Sequence, residues 1–412
     1  MRNRRPALAF IFVTLFLDIL GIGLVIPVLP KVVEEMRGGD VASAATMVGL
    51  LGALYALMQF LFSPVLGSLS DQYGRRPVIL LSLLGAGLDY FLMAWAPGLG
   101  WFFVGRAISG LAGANITAAT AYIADISPPE KRAANFGVIG AAFGLGFIAG
   151  PALGGWLGSH QLRMPLVCAG VVTLANALYG WWVLPESLPR EHRRTFDWRR
   201  ANPLASLAGL RRRPLVFGMG FALFLFNLGN FGVHSTWVLY TAHRYGWGPR
   251  DVGSSLAVVG LTAAIVQGWL GRVIIPALGE RVTLLGGFLL GAVSLSAYGF
   301  ATQGWMIYAI LPFGAMAGLG GQAGQAIISK AVPINEQGAV QGALTGLNSV
   351  AGFVAPMLAA NLFSYFIGGK APMHLPGIAF FEGGLLQILG LCVAVATLRR
   401  HPSRGTTVPT TA

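Results

Sequence analysis

Four ionisable side chains fall inside long apolar runs: Asp18, Asp89, Arg106 and Glu382. If those runs cross a bilayer, each charge at its centre costs at least about 2.5–3.5 kcal/mol, and residues of that kind are kept for a use. Apolar surroundings disfavour the charged form of a carboxyl group. A carboxyl so placed can take a proton on one side of a membrane and release it on the other. Asp18 and Asp89, each midway along its run, are therefore the expected proton-coupling groups. The competing reading is a static hydrogen bond or ion pair, for example Asp89 with Arg106. Arg106 is expected to be structural or a substrate counter-ion, and Glu382, near the outer end of the last run, to be interfacial.

Uncharged polar residues recur in the same runs. Gln59, Asn115, Asn227, Gln267, Gln325 and Asn348, together with Arg106, are expected to line a watery cavity; helix-to-helix hydrogen bonds would use the same side chains. Asn230, Gln322 and His234 have the same two readings. No nucleophile–base pair and no His/Cys cluster suggests an enzyme, a metal site or a cofactor. The two cysteines, Cys168 and Cys392, lie in apolar runs and read as small buried hydrophobes. No G-x-x-x-x-G-K-S/T string is present, so ATP is not the direct energy source.

Three strings would hold such groups in place. The first runs from Gly67 through Ser70-Asp71-Gln72-Tyr73-Gly74-Arg75-Arg76-Pro77, between the second and third apolar runs. Gly74 and Pro77 suit a tight turn, Arg75 and Arg76 suit a charged membrane surface, and Asp71, an acid among cations, calls for a dedicated partner. The second, Asp125 to Arg132, follows the fourth run. In the third, within the fifth run, Gly146, Gly150 and Gly154 recur every four residues and so share one helix face, with Gly155 and Pro151 beside them. A smooth face lets another helix pack closely or slide, and Pro151 bends the helix.

The elements behind these strings are helices in a membrane. Only 10% of the 412 residues are charged and 55% are hydrophobic, against about 25% charged in an ordinary globular chain. Twelve apolar runs, from 7–30 to 376–398, are long enough to span a bilayer. The first is too long for a signal peptide and is read as a retained membrane helix. The net charge of +13 comes mostly from Arg in short clusters between runs, so it indicates cytoplasmic loops and not nucleic-acid binding. With the N-terminus inside, the inner segments hold 21 Lys and Arg and the outer ones 6, which places both termini in the cytoplasm. The polar stretch 185–213 divides six runs from six: an N-terminal bundle 1–184, a cytoplasmic linker, a C-terminal bundle 214–400 and a tail 401–412. A shift of 205 residues superposes Gly74 on Gly279, Pro128 on Pro333, Gly137 on Gly342 and Pro151 on Pro356. The halves are thus related, an arrangement that puts a solute site near the midplane between them.

The Gly67–Pro77 string, the Asp125–Arg132 loop and the glycine face of the fifth run resemble signatures of the major facilitator superfamily and of its drug/proton antiporters. Leu17-Asp18 through Pro30, Ala53 to Gln59 and Leu88-Asp89-Tyr90 extend the likeness to the tetracycline efflux branch over most of 15–155. The resemblance implies an all-α fold of 12 helices in two bundles. It also implies a gate in which Asp71 meets a helix start in the other half and Arg75 or Arg76 pairs with Asp125, with Arg132 nearby. The implied activity is proton-driven export of an amphipathic solute, free or as a metal chelate, by a monomer in the bacterial inner membrane. Two departures bear on the solute: Gly291 stands where such exporters carry an acid, and Ala263 where many carry a His. The other readings are a proton-coupled importer or facilitator of a small nutrient and a non-transporting membrane receptor.

Overall fold

The computed structural model describes residues 5–113, 115–127, 132–193, 195, 213–333, 337–369 and 371–401. The tail expected at 402–412, most of the linker, and Pro128 to Lys131 lie outside the described residues, as do the side chains of Asn115 and Arg132.

Fifteen α-helices follow one another, with no strand among the described residues: α1 Arg5–Val25, α2 Leu29–Met36, α3 Val41–Tyr73, α4 Arg75–Ala94, α5 Leu99–Gly113, α6 Asn115–Ile126, α7 Arg132–His160, α8 Met164–Val183, α9 Pro214–Tyr245, α10 Pro249–Ile265, α11 Gly271–Leu278, α12 Glu280–Phe300, α13 Gly304–Lys330, α14 Gln337–Ile367 and α15 Ile378–Arg400. A π-helical segment, Val266–Leu270, joins α10 to α11. They compose 12 spans long and apolar enough to cross a membrane. The twelve expected runs correspond to them one for one, but several spans are longer than their runs. The apolar run 45–66 sits inside the 33-residue α3, roughly 50 Å long, which therefore projects beyond a 30 Å hydrocarbon core. Pro27 breaks the first span, and Pro30 opens α2.

The ends are set by local chemistry. Asp40 caps α3, its carboxylate accepting from the N–H groups of Ala42 and Ser43 at 3.0 and 3.2 Å. Gly74, at φ 108°, closes α3 and opens α4, and Gly279, at φ 79°, does the same between α11 and α12. Both need a conformation that L side chains rarely adopt. The 205-residue shift therefore superposes residues of equal conformational role.

The outside of the molecule is apolar: Leu81 and Phe300 are more than 70% exposed, with many other large hydrophobics, as lipid contact requires. Exposed Trp95, Trp101, Trp156 and Trp305 lie at or near the ends of their spans on one face, and Trp181 and Trp182 at the other, positions suited to membrane–water interfaces. Cys392, expected to be buried, is exposed on this apolar surface beside Leu389 and Ile388, while Cys168 is half-buried. A cysteine sulfur is apolar enough for either place.

Helices of the first six spans pack chiefly on one another, α1 on α7 and α8, α4 on α8, α3 on α5; those of the last six do likewise, α9 on α14 and α15, α12 on α13 and α15. Two pairs dominate the junction between the groups, α3 with α14 and α7 with α10, and α9 adds smaller contacts with α2 and α3. A Cβ on Gly49 would collide with Ala360 and the Pro356 carbonyl, and one on Gly253 with the Pro151 carbonyl and Gly155. The first approach lies toward the ends of α3 and α14 that are remote from the Gly74 turn, the second between the C-terminal half of α7 and the start of α10. Pro151 and Pro356, superposed by the repeat, thus both sit at junctions between the groups.

Candidate functional site

Among the described residues, two cavities within the bundle gather most of the expected ionisable and polar side chains. The smaller, about 230 Å³, belongs wholly to the first six spans. Asp18 of α1 and Arg106 and Ser109 of α5 line it, with Tyr55 of α3 and Tyr90 of α4. Asp89 lies just behind, 2% exposed, while Asp18 is 7% exposed. The Asp89–Arg106 pair of the competing reading is present only through an intermediary. Ser109 Oγ donates to Asp89 Oδ2 and lies 3.3 Å from the Arg106 guanidinium, which also reaches Met93 Sδ at 3.3 Å. The guanidinium stands 5.6 Å from the Tyr55 ring centroid, a cation–π distance. Asp89 Oδ1 is buried with no hydrogen-bond partner. A carboxyl group so placed has one oxygen engaged and one available to a proton.

Sequence reasoning did not single out Ser109. Its signal was one helical turn from Arg106, on the face that α5 turns toward α4.

The larger cavity, about 770 Å³, is formed almost entirely by the last six spans, with Ile26 and Phe147 from the first six. Of the expected cavity residues, Asn227, Gln267, Gln325 and Asn348 line it. Asn227 Nδ2 donates to Asn348 Oδ1 at 2.8 Å across α9 and α14, and Gln322 Nε2 to Gln267 Oε1 at 3.3 Å. His234, Phe231 and Trp237 join the lining, as do Ala263 and Gly291, the two departures from the efflux pattern. Beside Gly291 the space of a missing side chain is taken by Gln387 of α15, whose Oε1 atom a Cβ at 291 would strike. Gln387 is 1% exposed and its Oε1 has no hydrogen-bond partner. It was missed in the sequence, although it is an isolated amide in the last apolar run. Gln59, expected in the cavity, borders neither: its Nε2 donates to the Gly113 carbonyl at 3.2 Å. Glu382 is wedged inward beside Gly232 of α9, both carboxylate oxygens buried without a hydrogen-bond partner. It stands near the start of the last span, the end expected of it, but turned into the protein.

The turn after α3 is knitted by Arg75. Its guanidinium meets Asp71 at 2.6 Å, Ser70 Oγ at 2.6 Å and Asp125 Oδ2 at 3.1 Å. Of the two arginines expected to pair with Asp125, Arg75 does so; Arg76 instead donates to the Trp181 carbonyl and lies over that ring. Asp71 is engaged within its own turn and not with a helix of the other group. Glu186, unnoticed in the sequence, accepts from the Arg75, Ser187 and Leu188 N–H groups at 2.9–3.1 Å. Gly67 faces Thr117 of α6.

The glycine face of α7 lies against α1. A Cβ on Gly146 would strike Ile19, one on Gly150 would sit 2.7 Å from Gly23 Cα, and one on Gly154 would strike the Leu24 carbonyl. Gly155 faces the other way, onto Pro249 and Gly253 of α10. The stripe thus brings α7 into backbone contact with the helix that carries Asp18. Pro151 lies at that contact too, beside Gly23.

A family model described as the Major Facilitator Superfamily matches residues 11–356 and again 221–412. The class C tetracycline resistance protein of Escherichia coli is 39% identical over 394 residues, covering 96% of each chain. The class G protein of Vibrio anguillarum is 40% identical over 355 residues, 85% of this chain and 89% of that one. Among solved structures, the human organic anion transporter MFSD10 (TETRAN) aligns with a TM-score of 0.69 and 27% identity over 96% of this chain and all of the other. Twelve apolar spans enclosing a cavity, a turn built on Gly74 and Arg75, and matches along nearly the whole length lead to one assignment: the chain belongs to the major facilitator superfamily, beside the tetracycline resistance proteins, and is a multi-pass membrane transporter of small molecules, not an enzyme.

Proposed function

We propose that the chain exports an amphipathic, tetracycline-type solute, free or as a metal chelate, in exchange for protons, by alternating access between units 1–184 and 214–400. The observation that carries this reading is the charged cavity. Asp18, Asp89 and Arg106 are gathered in the interior of the first unit, where unpaired charge is costly, and Asp89 keeps a carboxylate oxygen without a partner. The larger cavity would take the solute. Its size falls within the range of drug-sized sites, and amides offer both donors and acceptors to a polyfunctional ligand. Names of the relatives support tetracyclines as the solute class, while Gly291 and Ala263 point to a solute recognised through Gln387 and its neighbours.

In this reading the Gly74 turn, the linker 185–213 and both termini face the cytoplasm, as the Lys and Arg bias requires. The contacts of α3 with α14 and of α7 with α10 then close the external side. When the molecule turns over, Asp71 leaves Arg75 for the start of α14, where the helix dipole favours an anion. Proton entry supplies the energy: one charge crossing 100 mV yields about 2.3 kcal/mol.

The test is drug accumulation in everted vesicles. Acidifying the lumen should drive tetracycline uptake by the wild type and not by Asp18→Asn. Uptake unaffected by the gradient, or gradient-driven loss of drug from the lumen, would refute exchange and favour a facilitator or importer. In a pump-deleted host, the wild type should raise tolerance to at least one drug in a panel, and Asp71→Asn should lower that tolerance.

A further inference from the structure

Away from both cavities, on the face proposed above to be external, two histidines meet. His243 is in the last turn of α9, and His374 lies in the segment that leads into α15. Their Nε2 atoms are 3.5 Å apart, with ring centroids at 5.5 Å and planes inclined by 52°. Both side chains are exposed to solvent. Phe363 of α14 packs edge-on against His243, its centroid 6.2 Å away, and steadies the ring.

The separation is long for an imidazole–imidazole hydrogen bond, since N–H donors lie about 2.7–3.2 Å from their acceptors. It suits a shared ion better. Two nitrogens bound to zinc at about 2.0–2.1 Å in a tetrahedral arrangement lie roughly 3.4 Å from each other. A third group stands near. Glu34 lies on α2, which packs on α9, the helix that carries His243. Its Oε1 accepts from Lys31 Nζ at 2.6 Å; its Oε2 is buried and has no hydrogen-bond partner. The neighbouring cation, Arg244, is turned toward the Ala301 carbonyl at 3.4 Å.

We propose that His243 and His374 bind a divalent transition-metal ion of the zinc, nickel and copper class, with water and the Glu34 carboxylate completing its coordination. Imidazole selects these ions over Mg²⁺ and Ca²⁺, which prefer oxygen. No ready cluster of three His, Cys, Asp or Glu exists among the described residues. The two imidazoles are therefore the fixed ligands, and the ion exchanges more readily than one in a closed four-ligand site. Glu34 belongs to the first group of helices and the histidines to the second. An ion held by all three favours the arrangement in which the groups touch on this face, and so slows turnover from outside. That inhibition, unlike the binding, rests on the exporter reading.

The binding test uses the full chain in lipid nanodiscs, titrated calorimetrically with Zn²⁺ alone. The wild type should bind one ion per chain, His243→Ala and His374→Ala should each weaken binding by at least about tenfold, and Mg²⁺ should give no signal. Binding unchanged in both variants, or no Zn²⁺ binding up to millimolar concentration, would overturn the site. The functional test preloads cells with tetracycline and adds Zn²⁺ outside. Efflux should slow in the wild type and continue in His374→Ala, whose efflux without Zn²⁺ should match the wild type. Equal slowing in both would overturn the clamp. Absence of efflux from either, with the calorimetric result intact, would count against the exporter reading and leave the site standing.

Discussion

The two cavities of this transporter are built from related halves, yet they solve opposite chemical problems. In the first half, Asp18, Asp89 and Arg106 surround a space of about 230 Å³, and Ser109 bridges Asp89 to the guanidinium. In the second, a space of about 770 Å³ is lined by amides, aromatic rings and glycines, with no Asp, Glu, Lys or Arg among its lining residues. A compact charged pocket suits a proton, which needs an acid and little room. A larger neutral pocket suits a solute, which needs many weak donors and acceptors. On the proposed reading the driving ion belongs to one half and the cargo to the other, and each substitution below is chosen to break that division or define it more closely.

The largest effect should follow from removing the acids. Asp18→Asn and Asp89→Asn keep shape and hydrogen-bonding capacity but cannot exchange a proton. Gradient-driven accumulation in everted vesicles should fall by on the order of 100-fold in either variant, and the remaining flux should no longer respond to pH. Tetracycline binding to purified protein should be nearly unchanged, because on the proposed reading the solute takes the other cavity. Equal loss of binding and accumulation would mean that the acids hold the solute directly, and the division would fail.

A second substitution tests how the first half is held together. Gly154 lies against the Leu24 carbonyl, within α1, so Gly154→Val forces α7 away from the helix that carries Asp18. The cost should be about 3 kcal/mol, read as a lowered Tm of the purified protein, with accumulation lost. Gly140→Val, at an open position on the same helix, should leave Tm within the ordinary range for surface changes. A similar Tm for both would show that the glycine stripe is not a contact surface.

Much of this was legible in the sequence, and the parts that were not share a cause. Apolar length gave the spans, and glycine spacing gave the face of α7, because both depend on local periodicity alone. The 205-residue shift found Gly74 and Gly279 because a positive φ restricts residue choice at a single position. Ser109, Glu186 and Gln387 were passed over, since their importance arises from what faces them across a helix contact: Asp89 and Arg106, the Arg75 N–H, and the missing side chain at Gly291. Asp71 and Gln59 illustrate the same limit from the other side. Their types were informative, but only packing decides that Asp71 meets Arg75 and that Gln59 meets the Gly113 carbonyl.

The paired turns offer a smaller and finer comparison. Gly74→Ala and Gly279→Ala both place a side chain where φ is positive, at a cost of about 1–2 kcal/mol. A Cβ at 74 also collides with the Glu186 carboxylate, whereas at 279 it meets open space. Gly74→Ala should therefore lower Tm more than Gly279→Ala. It should also weaken the turn in which Glu186 and Arg75 are joined, with a matching fall in transport. Equal effects would mean that backbone strain alone governs both turns, and that Glu186 has no part in the first.

The smallest effects should come from single amides of the neutral cavity. Asn227 and Asn348 hydrogen-bond to each other at 2.8 Å across α9 and α14. Replacing either with Ala removes one partner and leaves the other to water or solute. A net hydrogen bond is worth about 0.5–1.5 kcal/mol, so each single variant should raise the apparent KM for drug by roughly two- to tenfold, with the dependence on the proton gradient retained. The double variant should cost less than the two singles combined, because residues that share one bond are not independent. An additive result would show that each amide contacts the solute separately. A lost gradient response in either variant would place proton handling in the second half as well, leaving the first half's acids as one part of a path that runs through both.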